Sequence, residues 1–306
     1  MKNHVFSLVL ALVLVACSEA PQNKISLQER EHQGVVYGDD SMESTQGMTS
    51  ISDDKRFQIN VQANAAMIYH HNLIEQADGT FGIPDKTVKS TFKTCPEFRY
   101  TESKNPALCS AALVAPNLVL TAAHCMTLAK DTCADAAFVF GFNDEHQPIN
   151  KSDVYSCKKI RALSFFEKGN LMDYALVELD RDVPGIQPVK IKTTPLSLKD
   201  SIYTIGYPLG TTKKYSDGYI RSFDRVLAVS NLDEYAGNSG GPVFDKNTHE
   251  LVGIVNSGEV DLEETARGCQ MPKVCKDEEC MGENILMMNV ISESLKEKGE
   301  ALASPL

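Results

Sequence analysis

From about residue 57 onward the chain alternates short apolar runs with polar breaks. The segments "FQINVQANAAMIYH", "ALCSAALVAPNLVLTAAHC", "AAFVFGFN", "YALVELD", "SIYTIGYP", "RVLAVSNL", "GPVFD" and "ELVGIVNSG" are rich in β-branched and apolar residues, with Gly, Pro, Asn and Asp between them. Runs of that length and spacing predict an all-β sandwich or barrel. The stretch 183–201, "VPGIQPVKIKTTPLSLKDS", holds three prolines and no long apolar run. It predicts a join between two β units of similar size, one over 51–185 and one over 186–306. Near the end, Ile285, Met288, Ile291 and Leu295 recur at a helical spacing, which predicts a C-terminal helix.

The first fifty residues depart from this pattern. "MKNH" is a positive start, and residues 5–16 form an apolar run too short to span a bilayer, so residues 1–17 read as a signal peptide. The run ends in "LVAC", which resembles the bacterial lipobox, whose cysteine, here Cys17, becomes the lipidated first residue. An ordinary secretory cut is the alternative, but a cut after Ala20 would set Pro21 beside the scissile bond. Ser18 after the cysteine implies outer-membrane sorting in a Gram-negative host, with Cys17 as the protein's one tie to a membrane. Without lipidation the protein is periplasmic or secreted. Residues 18–50 are polar and acidic and read as a tether or pro-segment, disordered or lying on the surface.

Composition narrows the function. The chain is 42% hydrophobic and 23% charged, enough apolar matter for a packed core. A net charge of −11 with no basic run argues against a nucleic-acid partner. Of nine cysteines, setting Cys17 aside leaves Cys95, Cys109, Cys125, Cys133, Cys157, Cys269, Cys275 and Cys280, which in an exported chain can form four disulfides. Zinc is the competing reading for the last three. Their spacings are wider than C-x-x-C and no histidine lies nearby, so neither a metal nor another cofactor is expected.

Three stretches carry candidate chemistry. "AGNSGGPVF" (236–244) presents Ser239 between Asn238 and two glycines, with Gly237 just before. Such a run is a tight turn, or a backbone that must come very close to whatever the serine attacks. "VLTAAHC" ends an apolar segment on His124. A Cys109–Cys125 bridge would staple the hairpin-like stretch before it and pin the histidine, worth roughly 3 kcal/mol in the chain-entropy model. Cys133 with Cys157 would bracket the next β segment. "LMDYALVELD" puts Asp173 just before an apolar strand, where aspartate is commonly a solvated turn residue.

Taken in order, "LTAAHC", "MDYALVEL" and "GNSGGPVF" resemble the His, Asp and Ser blocks of the chymotrypsin/trypsin clan of serine peptidases. "IGYPLG" (205–210) and Asn238 are similar to the bacterial V8-like, glutamyl endopeptidase branch. The resemblance runs over roughly residues 35–298 and is weak between the blocks. It implies two six-stranded antiparallel β-barrels with the active site between them, and a monomer acting on protein or peptide substrates. It also implies Ser239 as nucleophile, His124 as base, Asp173 as its orienting partner, and the amides of Gly237 and Ser239 as the oxyanion hole. Two rivals remain. One is an inactive homologue that only binds; the other is an esterase, against which the order His, Asp, Ser counts.

The sequence departs from the trypsin pattern in places. Trypsin-like zymogens pair a freshly cut N-terminus with an aspartate directly before the serine, where this chain has Asn238. "VVYGDD" (35–40) resembles the start of mature chains in the bacterial branch, yet a cut before Val35 would release the protein from Cys17. Asp233 stands where trypsin-like enzymes bind Arg or Lys side chains; the alternative is a structural hydrogen bond. The pocket wall is expected at Asn256, Ser257 and Gly258. Val255 or Asn256 stands where glutamyl endopeptidases carry a histidine, which argues against a preference for Glu. Residues 259–284 form an acidic, disulfide-stapled insertion, either a solvated loop or one that gates substrate.

Overall fold

A computed structural model describes residues 35–45, 52–128, 131–166 and 171–302. The sequence expectations for residues 1–34, including the signal segment and lipidation at Cys17, lie outside the described residues. Among the described residues no helix is long and apolar enough to cross a membrane.

The first barrel contains β1 (Asn64–Tyr69), β2 (Ala107–Ala115), β3 (Leu118–Thr121), β4 (Ala136–Phe140), β5 (Val154–Phe165) and β6 (Asp173–Leu179). Its strands close in the order β1-β2-β3-β6-β5-β4, every pairing antiparallel. The second contains β7 (Ser201–Gly206), β8 (Lys214–Asp224), β9 (Leu227–Ser230), β10 (Pro242–Asp245), β11 (Leu251–Ser257) and β12 (Glu283–Met287). It closes in the equivalent order β7-β8-β9-β12-β11-β10. The fold is therefore the chymotrypsin-like pair of six-stranded antiparallel barrels. Closure removes the sheet edges that short strands would otherwise leave unpaired.

Two helices help seal the seam. Helix α1 (Lys55–Gln62) is capped by the Asp54 carboxylate, which accepts from the Arg56 N–H at 2.8 Å. It buries Phe57 against Tyr203 and Tyr215, with ring centroids 5.5 and 5.7 Å away. Helix α2 (Met288–Glu297) leaves β12 and turns Ser294 onto the Tyr174 hydroxyl of the first barrel, 2.7 Å away. The helix begins later than its apolar spacing predicts. Ile285 lies in β12, paired with Ala228 and Val255, because a strand between β9 and β11 buries it more completely than a helix would.

All eight described cysteines are bridged: Cys95–Cys269, Cys109–Cys125, Cys133–Cys157 and Cys275–Cys280. Cys269, Cys275 and Cys280 are thereby unavailable to zinc. The segment 35–45 corrects the expectation of a tether over that stretch. Val35, Val36, Tyr37 and Met42 are buried, and Val36–Tyr37 pair in parallel with Val274–Cys275. The acidic texture of this stretch hid four apolar side chains sufficient to dock it. The insertion after β11 is also less solvated than expected: Glu259 and Asp261 are buried, and Glu283 already belongs to β12.

Lys213, between the barrels, is 1% exposed, and its Nζ donates to the Val61 carbonyl at 2.6 Å. Burial pulls its pKa from 10.5 down to about 7. The unfolded chain thus holds this proton more tightly between those values, so stability rises as pH climbs from about 7 and is lowest below it. Relative to Lys213→Met, the wild-type protein should gain roughly 2–3 kcal/mol of stability from pH 7 to pH 9. Urea denaturation of both proteins at each pH measures this; parallel curves would show the amine stays charged.

Candidate active site

Strand register assembles the first half of the site. β6 pairs with β3 so that Ala175 faces Thr121. That places Asp173, the first residue of β6, beside the turn His124–Met126 that follows β3. The Asp173 carboxylate accepts twice from one residue, from the His124 backbone N–H at 2.9 Å and at the ring Nδ1 at 2.6 Å. Asp173 is 1% exposed and His124 8%. A two-point hold in so dry a place fixes ring position and tautomer together. The Cys109–Cys125 sulfurs lie within 4.8 Å of a ring nitrogen, but as a disulfide they pin the turn and cannot ligate a metal.

The second half comes from the turn before β10. Ser239 lies in 236–241, where the Asn238 N–H donates to the Tyr235 carbonyl at 3.0 Å and the Gly241 N–H to the Asn238 carbonyl at 2.7 Å. Gly237 has φ +100°, a backbone that side chains resist. Gly240 (φ +75°) lies against Thr121, Ala122 and Ser110 of the first barrel, with no room for a Cβ. Among the described residues neither the Gly237 nor the Ser239 amide meets an acceptor. Both residues line one cleft of about 280 Å³ with His124, Cys109, Phe92 and Leu209.

Sequence reasoning overlooked Ser110. Its N–H donates to the Ser239 carbonyl at 2.9 Å and its hydroxyl to the Gly237 carbonyl at 2.8 Å. The same hydroxyl accepts from the Tyr207 N–H at 3.0 Å. This buried serine ties the nucleophile turn to β2. The available signal was a hydroxyl inside the apolar run "LCSAAL".

Residues 109–254 match the trypsin-like peptidase domain family. The chain thus carries a trypsin-like peptidase domain. No curated protein matches it in sequence. Among solved structures it resembles a Glu endopeptidase determined with MPD, with a TM-score of 0.53 and 17% identity over 87% of this chain and 100% of that one. The VesB protease of Vibrio cholerae aligns at a TM-score of 0.48 and 15% identity, over 80% of this chain and 66% of that one.

The residues expected to set specificity lie elsewhere than the sequence reading placed them. Asp233 is not among the residues that line the cleft. Its carboxylate accepts from the Tyr37 N–H, the Ser41 N–H and the Ser41 hydroxyl, each at 2.6 Å, because the segment 35–45 docks onto it. Burial raises its pKa to about 6. Asn256, Ser257 and Gly258 line a separate recess with Phe166, Leu171 and Met281. Asn256 is buried, with no acceptor for its amide nitrogen among the described residues.

Proposed function

We propose that the protein is an exported serine endopeptidase that cleaves peptide bonds through an acyl-enzyme. The observation that carries this is the meeting of Asp173-held His124, Ser239 and two unengaged amides at one cleft. In this reading the Ser239 hydroxyl attacks the scissile carbonyl and its proton passes to His124. Asp173 stabilises the imidazolium. The oxyanion settles on the Gly237 and Ser239 amides, a kind of donor worth about 10²–10³ in rate. The tetrahedral adduct then collapses, the leaving amine takes the proton from His124, and water repeats the sequence to free the acid.

Four disulfides support an oxidising compartment. Together with residues 5–16 and the lipobox they favour anchoring at the outer membrane through Cys17, or release to the periplasm or medium after processing. Substrates are proteins or peptides, and the enzyme acts as a monomer. A fluorophosphonate probe should label the disulfide-intact protein and fail to label Ser239→Ala; His124→Ala should label at a rate lower by orders of magnitude. Absence of labelling in the folded wild-type protein, both before and after trimming ahead of Val35, would reject the enzyme reading in favour of a binding homologue.

A further inference from the structure

Every backbone carbonyl from Tyr235 to Ser239 has a partner, and the partners fall into two groups. The Tyr235 carbonyl accepts from the Asn238 N–H at 3.0 Å and the Asn238 carbonyl from the Gly241 N–H at 2.7 Å, both within the turn. The others are held from outside. The Ala236 carbonyl accepts from the Leu209 N–H at 2.5 Å, the Gly237 carbonyl from the Ser110 hydroxyl at 2.8 Å, and the Ser239 carbonyl from the Ser110 N–H at 2.9 Å. Against these filled acceptors, the Gly237 and Ser239 amides meet no acceptor among the described residues. Backbone groups this well buried are normally paired on both sides, so a turn that pairs every carbonyl and opens two N–H groups onto a cleft is aimed there.

In a trans peptide the C=O and the N–H point in opposite directions. The grip of the Leu209 N–H on the Ala236 carbonyl therefore turns the Gly237 N–H of the same peptide the other way, on a residue that lines the cleft. The next peptide is fixed at both ends, by the Ser110 hydroxyl on the Gly237 carbonyl and by the Tyr235 carbonyl on the Asn238 N–H. Gly237 keeps its φ of +100° between these two fixed planes.

One hydroxyl joins the two grips. Ser110 accepts from the Tyr207 N–H at 3.0 Å while it donates to Gly237, so it ties the turn Pro208–Gly210, which presents Leu209, to the turn that Leu209 holds. Leu209 has φ +54°, a conformation that side chains resist. Such strain persists only where the surroundings over-determine it. Leu209 is buried in a small apolar core with Val36, Met42, Val88, Phe98 and Tyr235. Tyr235 directly precedes Ala236, so one core grips the chain at both ends of the Leu209–Ala236 hydrogen bond. Of the nearby carboxylates, Asp261 accepts from the Ala236 N–H at 2.7 Å and so fixes the preceding peptide. Glu234 and Glu283 are buried within reach of each other's charge and their carboxylates add no hold: among the described residues neither oxygen of Glu234, nor Oε2 of Glu283, meets a donor.

Resting on the peptidase reading above, we propose that Ser110 and Leu209 are positioning residues: the Ser110 hydroxyl and the Leu209 N–H, by holding the carbonyls of Gly237 and Ala236, aim the Gly237 amide at the oxyanion. They act through that amide and not on the substrate. Their effect is felt when negative charge develops on the carbonyl oxygen, so it falls on kcat and on tetrahedral adducts and leaves ground-state binding alone.

The test compares two peptides of one sequence, one ending in an aldehyde and one in the corresponding alcohol. With the aldehyde, the Ser239 oxygen bonds to the carbonyl carbon, its proton passes to His124, and the former carbonyl oxygen becomes the oxyanion; the alcohol binds without that step. Ser110→Ala should lower both kcat and the aldehyde-to-alcohol affinity ratio by roughly 10–100-fold, with KM and alcohol binding unchanged. Ser110→Cys keeps a weak donor and should fall between. Leu209→Gly should retain a higher ratio than Leu209→Ala, because glycine adopts a left-handed φ freely once the side-chain grip is gone, whereas lost apolar burial alone would not favour glycine. Thr121→Val removes the Thr121 hydroxyl's 2.8 Å bond to the Ser110 carbonyl, and should lower the melting temperature while sparing the ratio. A wild-type ratio in Ser110→Ala, or an equal fall in Thr121→Val, overturns the inference and leaves the peptidase reading intact. So does a Leu209→Ala protein that matches or exceeds Leu209→Gly. Should Ser110→Ala not fold, Ser110→Cys and the Leu209 pair decide on the same ratio. Wild-type protein whose Ser239 never labels removes the peptidase reading itself.

Discussion

Asp173→Asn should lower kcat about 10⁴-fold with little change in fold. The wild-type carboxylate accepts from both the His124 backbone N–H and the ring Nδ1–H. An asparagine keeps one acceptor oxygen and replaces the other with an NH₂ donor. The backbone amide, which can only donate, claims the oxygen. The NH₂ then faces Nδ1 and demands an acceptor there, driving the imidazole proton to Nε2, where it can no longer take the serine's proton. The charge that stabilises the imidazolium is lost as well. Steady-state hydrolysis of one peptide by both proteins measures the effect, and circular dichroism confirms the fold. A loss below tenfold would mean that some other group orients His124, and the role given to Asp173 would fall.

What could be read from the chain, and what could not, follows from how each contact is encoded. His124, Asp173 and Ser239 each sit in a short stretch whose small or apolar neighbours announce a strand end or tight turn; Asp173 alone reads as a solvated turn residue, and it is the resemblance of the three ordered blocks that implies their meeting. Cys109 and Cys125 flank a single hairpin, again a local matter. Glu234 and Glu283 are 49 positions apart and meet only because β12 returns between β9 and β11. Neither has a local context that separates it from the solvated glutamates elsewhere in the chain. Asp233 illustrates the converse. Its position in the turn is legible, but the donors that occupy it come from Tyr37 and Ser41, some 190 residues away, inside a stretch whose polar texture conceals Val35, Val36, Tyr37 and Met42. Ile285 shows a third case, in which one apolar spacing suits both a strand and a helix until its neighbours decide.

Gly237→Ala should lower kcat about 10²–10³-fold and destabilise the protein by roughly 1–3 kcal/mol or more. Two causes act on one residue. At φ +100° an alanine is strained whatever surrounds it. Its Cβ would also run into the Tyr207 carbonyl and come within 2.8 Å of the Gly210 nitrogen, both backbone atoms that cannot turn aside. Relief requires rotating the Ala236–Gly237 peptide, and that rotation carries the Gly237 N–H away from the oxyanion position. The control is Gly141→Ala: φ there is +78° and nothing lies within 4 Å of an added Cβ, so it should cost about 1 kcal/mol or a little more from backbone strain alone and leave kcat unchanged. Comparing kcat, fluorophosphonate labelling rate and melting temperature across the two variants separates strain from lost chemistry. If Gly237→Ala melts early yet labels at the wild-type rate, the oxyanion does not rest on that amide. If labelling slows as predicted while Gly141→Ala labels normally, the glycine's place in the sequence is explained by the direction of one N–H.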